Sequence, residues 1–316
     1  MAYNRKKGAK RYGSKGREAR ASLYTEVTAQ IITELEAGRV PWVQPWDASA
    51  ACIGLPRNAI SGRSYSGINI LLLWGAVIQS GFASQAWLTF HQAKQAGGSV
   101  RKGERGVSIC YADRFTPETE TTRAKDNGCE AKKVPFLKRF TVFNVDQCDG
   151  LSDDIIVDRP PLPECEIVPV AEKLIAATGA DFRIGGNRAF YAPVEDFVQV
   201  PPQPAFTDQI NYYRTANHEL SHWTGHSSRL NRNQKGRFGS ADYSREELAA
   251  ELGSAYVCAA LGIVPTVRHA DYIRSWLTVL RADDRAIFKA ASAASKAADF
   301  LLAFQDQTET EKDLAA

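Results

Sequence analysis

Long apolar runs are missing from this chain of 316 residues. The best, Ile68 to Ile78, is short and contains Asn69 and Gly75, well below the ~20 residues a membrane-spanning helix needs. No membrane segment is therefore expected. The N-terminus is basic but no apolar stretch follows it, so it does not read as a secretory signal. Paired cysteines are missing too: Cys52, Cys110, Cys129, Cys148, Cys165 and Cys258 are scattered, with no CxxC among them. That pattern argues against a cysteine-built zinc site and fits reduced thiols in a cytoplasmic protein. An excess of negative charge is absent, since 39 Lys and Arg face 36 Asp and Glu. A protein that imitates the charge of DNA would need the opposite balance. No internal repeat is found.

What is present suffices for two folded domains, with 44% hydrophobic residues in a chain long for one compact unit. The net charge of +3 is unevenly spread. Residues 1–20 hold four Lys and four Arg against one Glu, with almost no aliphatic side chains, and read as a basic disordered arm. Residues 21–150 carry fourteen basic and twelve acidic side chains, which leaves the remainder acidic, at −6. The asymmetry suggests a polyanion partner for the N-terminal part only.

Periodicity outlines the elements. A helix is expected from Leu23 to Gly38, then a rigid aromatic loop, Pro41 to Trp46. An apolar helix opens at Ile68, and Ala86 to Phe90 leads into a short helix ending at Ala96. Strands are expected at Val107 to Tyr111 and Phe136 to Val145, joined through a polar hairpin tip, Pro117 to Lys133. The paired Asp and three prolines of Asp149 to Pro163 read as a linker. Beyond it come a helix from Pro169 to Ala177, strands at Asn187 to Tyr191 and Asp196 to Val200, and helices at Thr207 to Trp223, Ser244 to Leu261 and Asp271 to Ala303.

The stretch that names a chemistry is His218-Glu219-Leu220-Ser221-His222, an HExxH motif. Histidines four apart on a helix share a face, so both imidazoles can bind one metal ion while Glu219 reaches a water beside it. This is the zinc-peptidase arrangement, and it needs a third protein ligand. Ser227 and Ser228 stand where a third histidine would be sought, and His226 directly follows Gly225, the expected helix stop. A glutamate on a second helix is the other solution. Glu247 and Glu251 share a face. Ser244 and Glu247 match a capping box, which would occupy Glu247 at a helix start, whereas Glu251 lies among small apolar residues. Glu251 is therefore the expected ligand, with Glu247 as alternative ligand or as support for a ligand histidine. An edge strand for the substrate backbone is sought at Arg188 to Tyr191 or Asp196 to Val200. Tyr243, Tyr256, His269 and Tyr272 are candidate oxyanion donors. The rival reading is a buried polar cluster of histidines satisfied by carboxylates.

Two blocks together resemble the ArdC-type antirestriction family of conjugative plasmids. One is Pro56-Arg57-Asn58, Tyr65-Ser66-Gly67-Ile68-Asn69, Trp87-Leu88-Thr89-Phe90, Gly97-Gly98 and Lys102-Gly103-Glu104-Arg105-Gly106. The other is Phe190-Tyr191, Tyr212-Tyr213, His218 to His226, Arg229-Leu230 and Glu246 to Leu252. The resemblance implies an N-terminal domain that binds single-stranded DNA, a zincin-like metallopeptidase domain, and protection of incoming plasmid DNA from host restriction during conjugation.

The residues themselves agree in kind. Single-strand binders combine a positive groove with aromatic faces. Arg57, Arg63, Tyr65, Arg101, Lys102, Arg105, Lys132, Lys133 and Lys138, with Trp42, Trp46 and Trp87, supply that mixture. The expectation is an α+β protein: a basic arm at 1–20, a DNA-binding domain at 21–150, a linker at 151–165 and a gluzincin-type domain at 166–316. One Zn²⁺ would be held by His218, His222 and Glu251, with Glu219 as general base. The expected partners are single-stranded DNA and a protein substrate, with host restriction machinery as the candidate, in the bacterial cytoplasm of donor or recipient. The alternative function is a non-catalytic DNA-coating protein with a structural or vestigial metal.

Overall fold

The computed structural model describes residues 22–43, 52–152, 155, 164–264 and 272–315. The basic arm, Trp46, His269 and most of the expected linker lie outside them. The order opens with α1 (Leu23–Glu36), β1 (Arg57–Asn58), α2 (Ile68–Ser80), β2 (Ala86–Leu88), α3 (Phe90–Gln95) and β3 (Ser99–Val100). It continues through β4 (Val107–Phe115), α4 (Glu118–Asn127), β5 (Val134–Asn144) and β6 (Cys148–Asp149). The C-terminal half holds α5 (Glu164–Ala177), β7 (Asp181–Ile184), β8 (Phe190–Ala192), β9 (Phe197–Val200), α6 (Gln209–Trp223), α7 (Ala241–Ala260), α8 (Ile273–Ala282) and α9 (Ala286–Ala315). The architecture is α+β. No described helix is long and apolar enough to cross a membrane.

In the first half, four strands run β1-β2-β5-β4, with β1 parallel to β2 and the other pairs antiparallel. The β4–β5 ribbon is long because Val107 to Phe115 pairs residue for residue with Val134 to Val142. Its tip is not a bare polar loop: α4 fills it, stopped by Gly128 in the left-handed conformation. Helix α2 buries seven side chains, among them Leu71, Leu73 and Trp74, and packs beneath β4. In the second half, a three-stranded sheet runs β7-β9-β8. Strand β8 is therefore an edge, whereas β9, one of the two segments expected to supply an edge, is the centre. Helices α6, α7 and α9 pack on one another behind it. A Cβ on Gly253 would stand 3.0 Å from Ser221 Oγ, so a glycine in α7 lets α6 come close.

The two halves share one hydrophobic core. Trp74 meets Tyr256 edge to face at 5.7 Å, and Trp42 meets Trp276 at 5.6 Å. Ser295 Oγ accepts from the Gly67 amide at 2.7 Å, and Thr28 Oγ1 donates to the Asp284 carbonyl at 2.7 Å. Trp42 and Trp87 are fully buried, which removes both from the aromatic faces expected to meet DNA. Apolar indoles gain more from this interior than from solvent.

Candidate metal centre

The phase of α7 decides which glutamate faces both Nε2 atoms of the histidines. Its N-cap is Ser240, whose side chain accepts from the Tyr243 amide, so the helix starts a turn earlier than expected and Ser244 is a buried interior residue. The capping box of Ser244 and Glu247 does not form, which frees Glu247. Its carboxylate stands 3.6 Å from His218 Nε2 and 3.6 Å from His222 Nε2. His218, His222 and Glu247 offer donor atoms that all lie within 4.8 Å of one another. Glu251 is not in that group. It lies one turn further along α7, with Oε2 3.3 Å from His218 Nδ1, the opposite side of the ring.

His222 is backed in the same way. Its Nδ1 stands 3.1 Å from Glu246 Oε1. Arg232 grips Glu246 with Nε to Oε2 at 3.0 Å and Nη2 to Oε1 at 2.8 Å, and Gln234 adds a bond at 3.2 Å. Both Nε2 atoms therefore face Glu247, and each Nδ1 faces its own carboxylate. Glu246, Arg232 and Gln234 had no sequence signal beyond a third acid in the run at 246–251. Gly225 does not stop α6 in the left-handed conformation. A Cβ there would meet Gln234 Nε2 at 2.6 Å and Arg232 Nη2 at 2.9 Å, so the glycine makes room for these two side chains. His226 stays apart, with Nδ1 2.7 Å from Ser228 Oγ.

Electrostatics favours a cation here. Glu219, Glu247 and Glu251 are buried, Glu246 nearly so, and among them stand two imidazoles and Arg232. Burial alone would raise Glu246 and Glu247, but His222 and Arg232 hold the first at about 2, and His218 with His222 hold the second at about 2. Burial pulls His218 down, yet Glu247, Glu251 and Glu219 outweigh it and push it up to about 10. The cluster thus draws positive charge into itself, and two imidazoles with a carboxylate are a donor set suited to a divalent metal.

A cavity of about 550 Å³ opens over His218, Glu219, His222 and Glu247. Phe190 and Tyr191 of edge strand β8 form one wall, and Phe238 and Tyr243 another. Of the candidate oxyanion donors, Tyr243 and Tyr272 line this cavity with their hydroxyls 2.9 Å apart. Tyr256 faces the Gly67 carbonyl in the shared core instead.

The expected DNA contacts are spread over the first half. Lys102, Arg105, Lys132, Lys133, Lys138 and Arg63 are exposed. Arg101 is tied to Glu104 at 3.0 Å, Asp149 at 3.5 Å and the Asp146 carbonyl at 2.5 Å, so much of its charge is satisfied internally. Tyr65 is half buried against the core, and Arg57 sits half buried in β1. Two further exposed rings, Tyr111 and Phe140, meet edge to face at 5.9 Å on the β4–β5 ribbon, where Tyr111 pairs with Lys138.

Comparison with known proteins follows the same division. Residues 21–143 match the N-terminal domain of anti-restriction factor ArdC, and residues 169–293 match a zincin-like metallopeptidase domain. The protein y4eC of Sinorhizobium fredii is 40% identical over 292 residues, covering 91% of this chain and 94% of that protein. DNA primase TraC of Escherichia coli is 38% identical over 307 residues, but the chain spans only 28% of its length. The metal-free crystal structure of antirestriction protein ArdC from plasmid R388 is 40% identical, with a TM-score of 0.76, covering 91% of this chain and 99% of that one. Its Mn(II)-bound structure, at 38% identity, gives a TM-score of 0.74 over 90% and 98%. The zincin-like domain, the donor group and the Mn(II)-bound relative together indicate a divalent-metal site. In both halves and across nearly its whole length, the chain belongs to the ArdC antirestriction family.

Proposed function

We propose that this protein is a metal-dependent peptidase carried on single-stranded DNA, protecting incoming DNA from host restriction during conjugation. The observation that carries the catalytic part is the convergence of both Nε2 atoms on Glu247, with Glu219 on the same cavity wall. In this reading His218, His222 and Glu247 hold one divalent ion, most simply Zn²⁺, and Glu251 and Glu246 fix the two imidazole rings from behind. The ion, when bound, supplies Lewis acidity toward a carbonyl oxygen and toward water. Glu219 takes the proton from the attacking water and returns it to the leaving amine. The free edge of β8 pairs with an extended peptide, and Tyr243 or Tyr272 donates to the carbonyl oxygen as it gains charge. Exposed cations of residues 21–150, with Tyr111 and Phe140 as stacking faces, hold the strand.

Metal analysis and cleavage of an unfolded protein substrate test this together. Wild type should carry one equivalent, His218→Ala none, and Glu219→Ala a full equivalent without turnover. Equal metal in wild type and His218→Ala would refute the site. Antirestriction that survives Glu219→Ala would instead support the non-catalytic DNA-coating function.

A further inference from the structure

Away from the metal centre, a second cleft of about 690 Å³ opens between α1 and the first turns of α9. Its walls carry four cations, Arg232, Arg285, Lys289 and Lys296, and no carboxylate. Tyr24 and Phe288 line it as well, edge to face at 4.7 Å, with the Arg285 guanidinium 4.9 Å above the Tyr24 ring. Arg285, Lys289 and Lys296 recur at helical spacing and form one exposed stripe about 16 Å long. Lys289 pairs with Asp283 at 2.9 Å, but its side chain is 68% exposed, and such surface pairs are weak. Arg232 closes the inner end, where its guanidinium is already committed to Glu246.

Two features set this stripe apart from ordinary surface lysines. It lies in the acidic part of the chain, so composition does not account for a lining of four cations. Ser22 caps α1 two residues before Tyr24, which lines the cleft, and the sequence before Ser22 carries eight Lys and Arg in residues 1–20.

We propose that this cleft binds the phosphodiester backbone of a nucleic acid strand, extending the DNA contact from the N-terminal half onto α9. The proposal rests on DNA as the ligand but names a surface outside residues 21–150. Cations spaced along a groove, with rings between them, suit a flexible polyanion better than a single small anion.

The test is fluorescence anisotropy of a labelled oligo-dT with the full chain, across a salt series. Lys289→Glu with Lys296→Glu should weaken binding about tenfold or more and reduce the salt slope by about 1.4, as expected for two lost single-strand phosphate contacts. Both side chains are exposed, so the melting temperature should hold; if it falls, Lys289→Gln with Lys296→Gln should still flatten the slope. Arg105→Glu with Lys138→Glu probes the N-terminal surface separately. If only that pair weakens binding, the α9 cleft is overturned and the N-terminal interface stands. If wild type binds no oligonucleotide, both fall. Sedimentation with phosphatidylserine-containing vesicles that depends on Lys289 and Lys296, without oligonucleotide binding, would make the ligand a lipid surface and overturn the proposal.

Discussion

The candidate metal cluster and the candidate DNA surface are held in opposite ways. Around His218 and His222 each ring is flanked on both sides, by Glu247 toward Nε2 and by Glu251 or Glu246 toward Nδ1. Lys102, Arg105, Lys132 and Lys133 instead stand exposed on strand ends and turns. The difference follows from the ligands. A metal demands donors fixed to a fraction of an ångström, and buried pairs supply that order. A polyanion rewards charge density, which mobile side chains provide without fixed partners. The same logic sets Arg101 apart from these side chains: its donors are already engaged by Glu104, Asp149 and the Asp146 carbonyl.

The sharpest way to break this contrast is to test the proposed ligand against the proposed support within the cluster. Glu247→Gln should abolish stoichiometric metal binding, whereas Glu251→Gln should weaken affinity about 10- to 100-fold while leaving the site loadable. Titration with a competing chelator distinguishes them. The reverse order would make Glu251 the ligand.

Next in size is the pairing behind His222. Arg232 and Glu246 are each about nine-tenths buried, with two hydrogen bonds between them. Arg232→Met leaves a buried carboxylate without its main partner, which should cost about 3–5 kcal/mol in denaturant unfolding. Gly236→Ala should follow, at about 1–3 kcal/mol, because a Cβ there would lie 2.3 Å from the Tyr243 backbone nitrogen. No flexible side chain can yield at that point, so the loop over the cavity must shift. An unchanged melting curve for Gly236→Ala would mean that the loop moves freely.

The grouping of His218, Glu219 and His222 was legible in the sequence because spacing of four on a helix survives any uncertainty about where the helix starts. Which glutamate stands 3.6 Å from both Nε2 atoms was not, because it depended on a cap. Ser244 and Glu247 satisfy the S-x-x-E pattern, yet Ser240 takes the N-cap and turns Ser244 inward. Arg232 and Gln234 reach Glu246 from a loop without periodicity, so their role emerges only in three dimensions. The shared core of the two halves was hidden for the same reason: Trp42 reads as a ring offered to DNA and Tyr256 as an oxyanion donor until their partners Trp276 and Trp74 are seen. The strand β7 was missed because it is short and largely exposed, with only its parallel pairing to β9 to define it.

The smallest effect separates the two kinds of cation within residues 21–150. Lys102→Ala and Arg101→Ala remove neighbouring positive charges from one turn, so a purely electrostatic count predicts equal losses of DNA affinity. Partner geometry predicts otherwise. Lys102 is exposed and keeps its charge available, so its removal should lower the salt slope by about 0.7, one phosphate contact on a single strand. Arg101 presents little unspent charge, and its removal also releases Glu104 and Asp149 toward the strand. Its slope should change by less than that of Lys102, while affinity falls slightly at all salt concentrations through repulsion by the freed carboxylates. Equal slopes for the two variants would show that the ion pairs of Arg101 open when DNA binds.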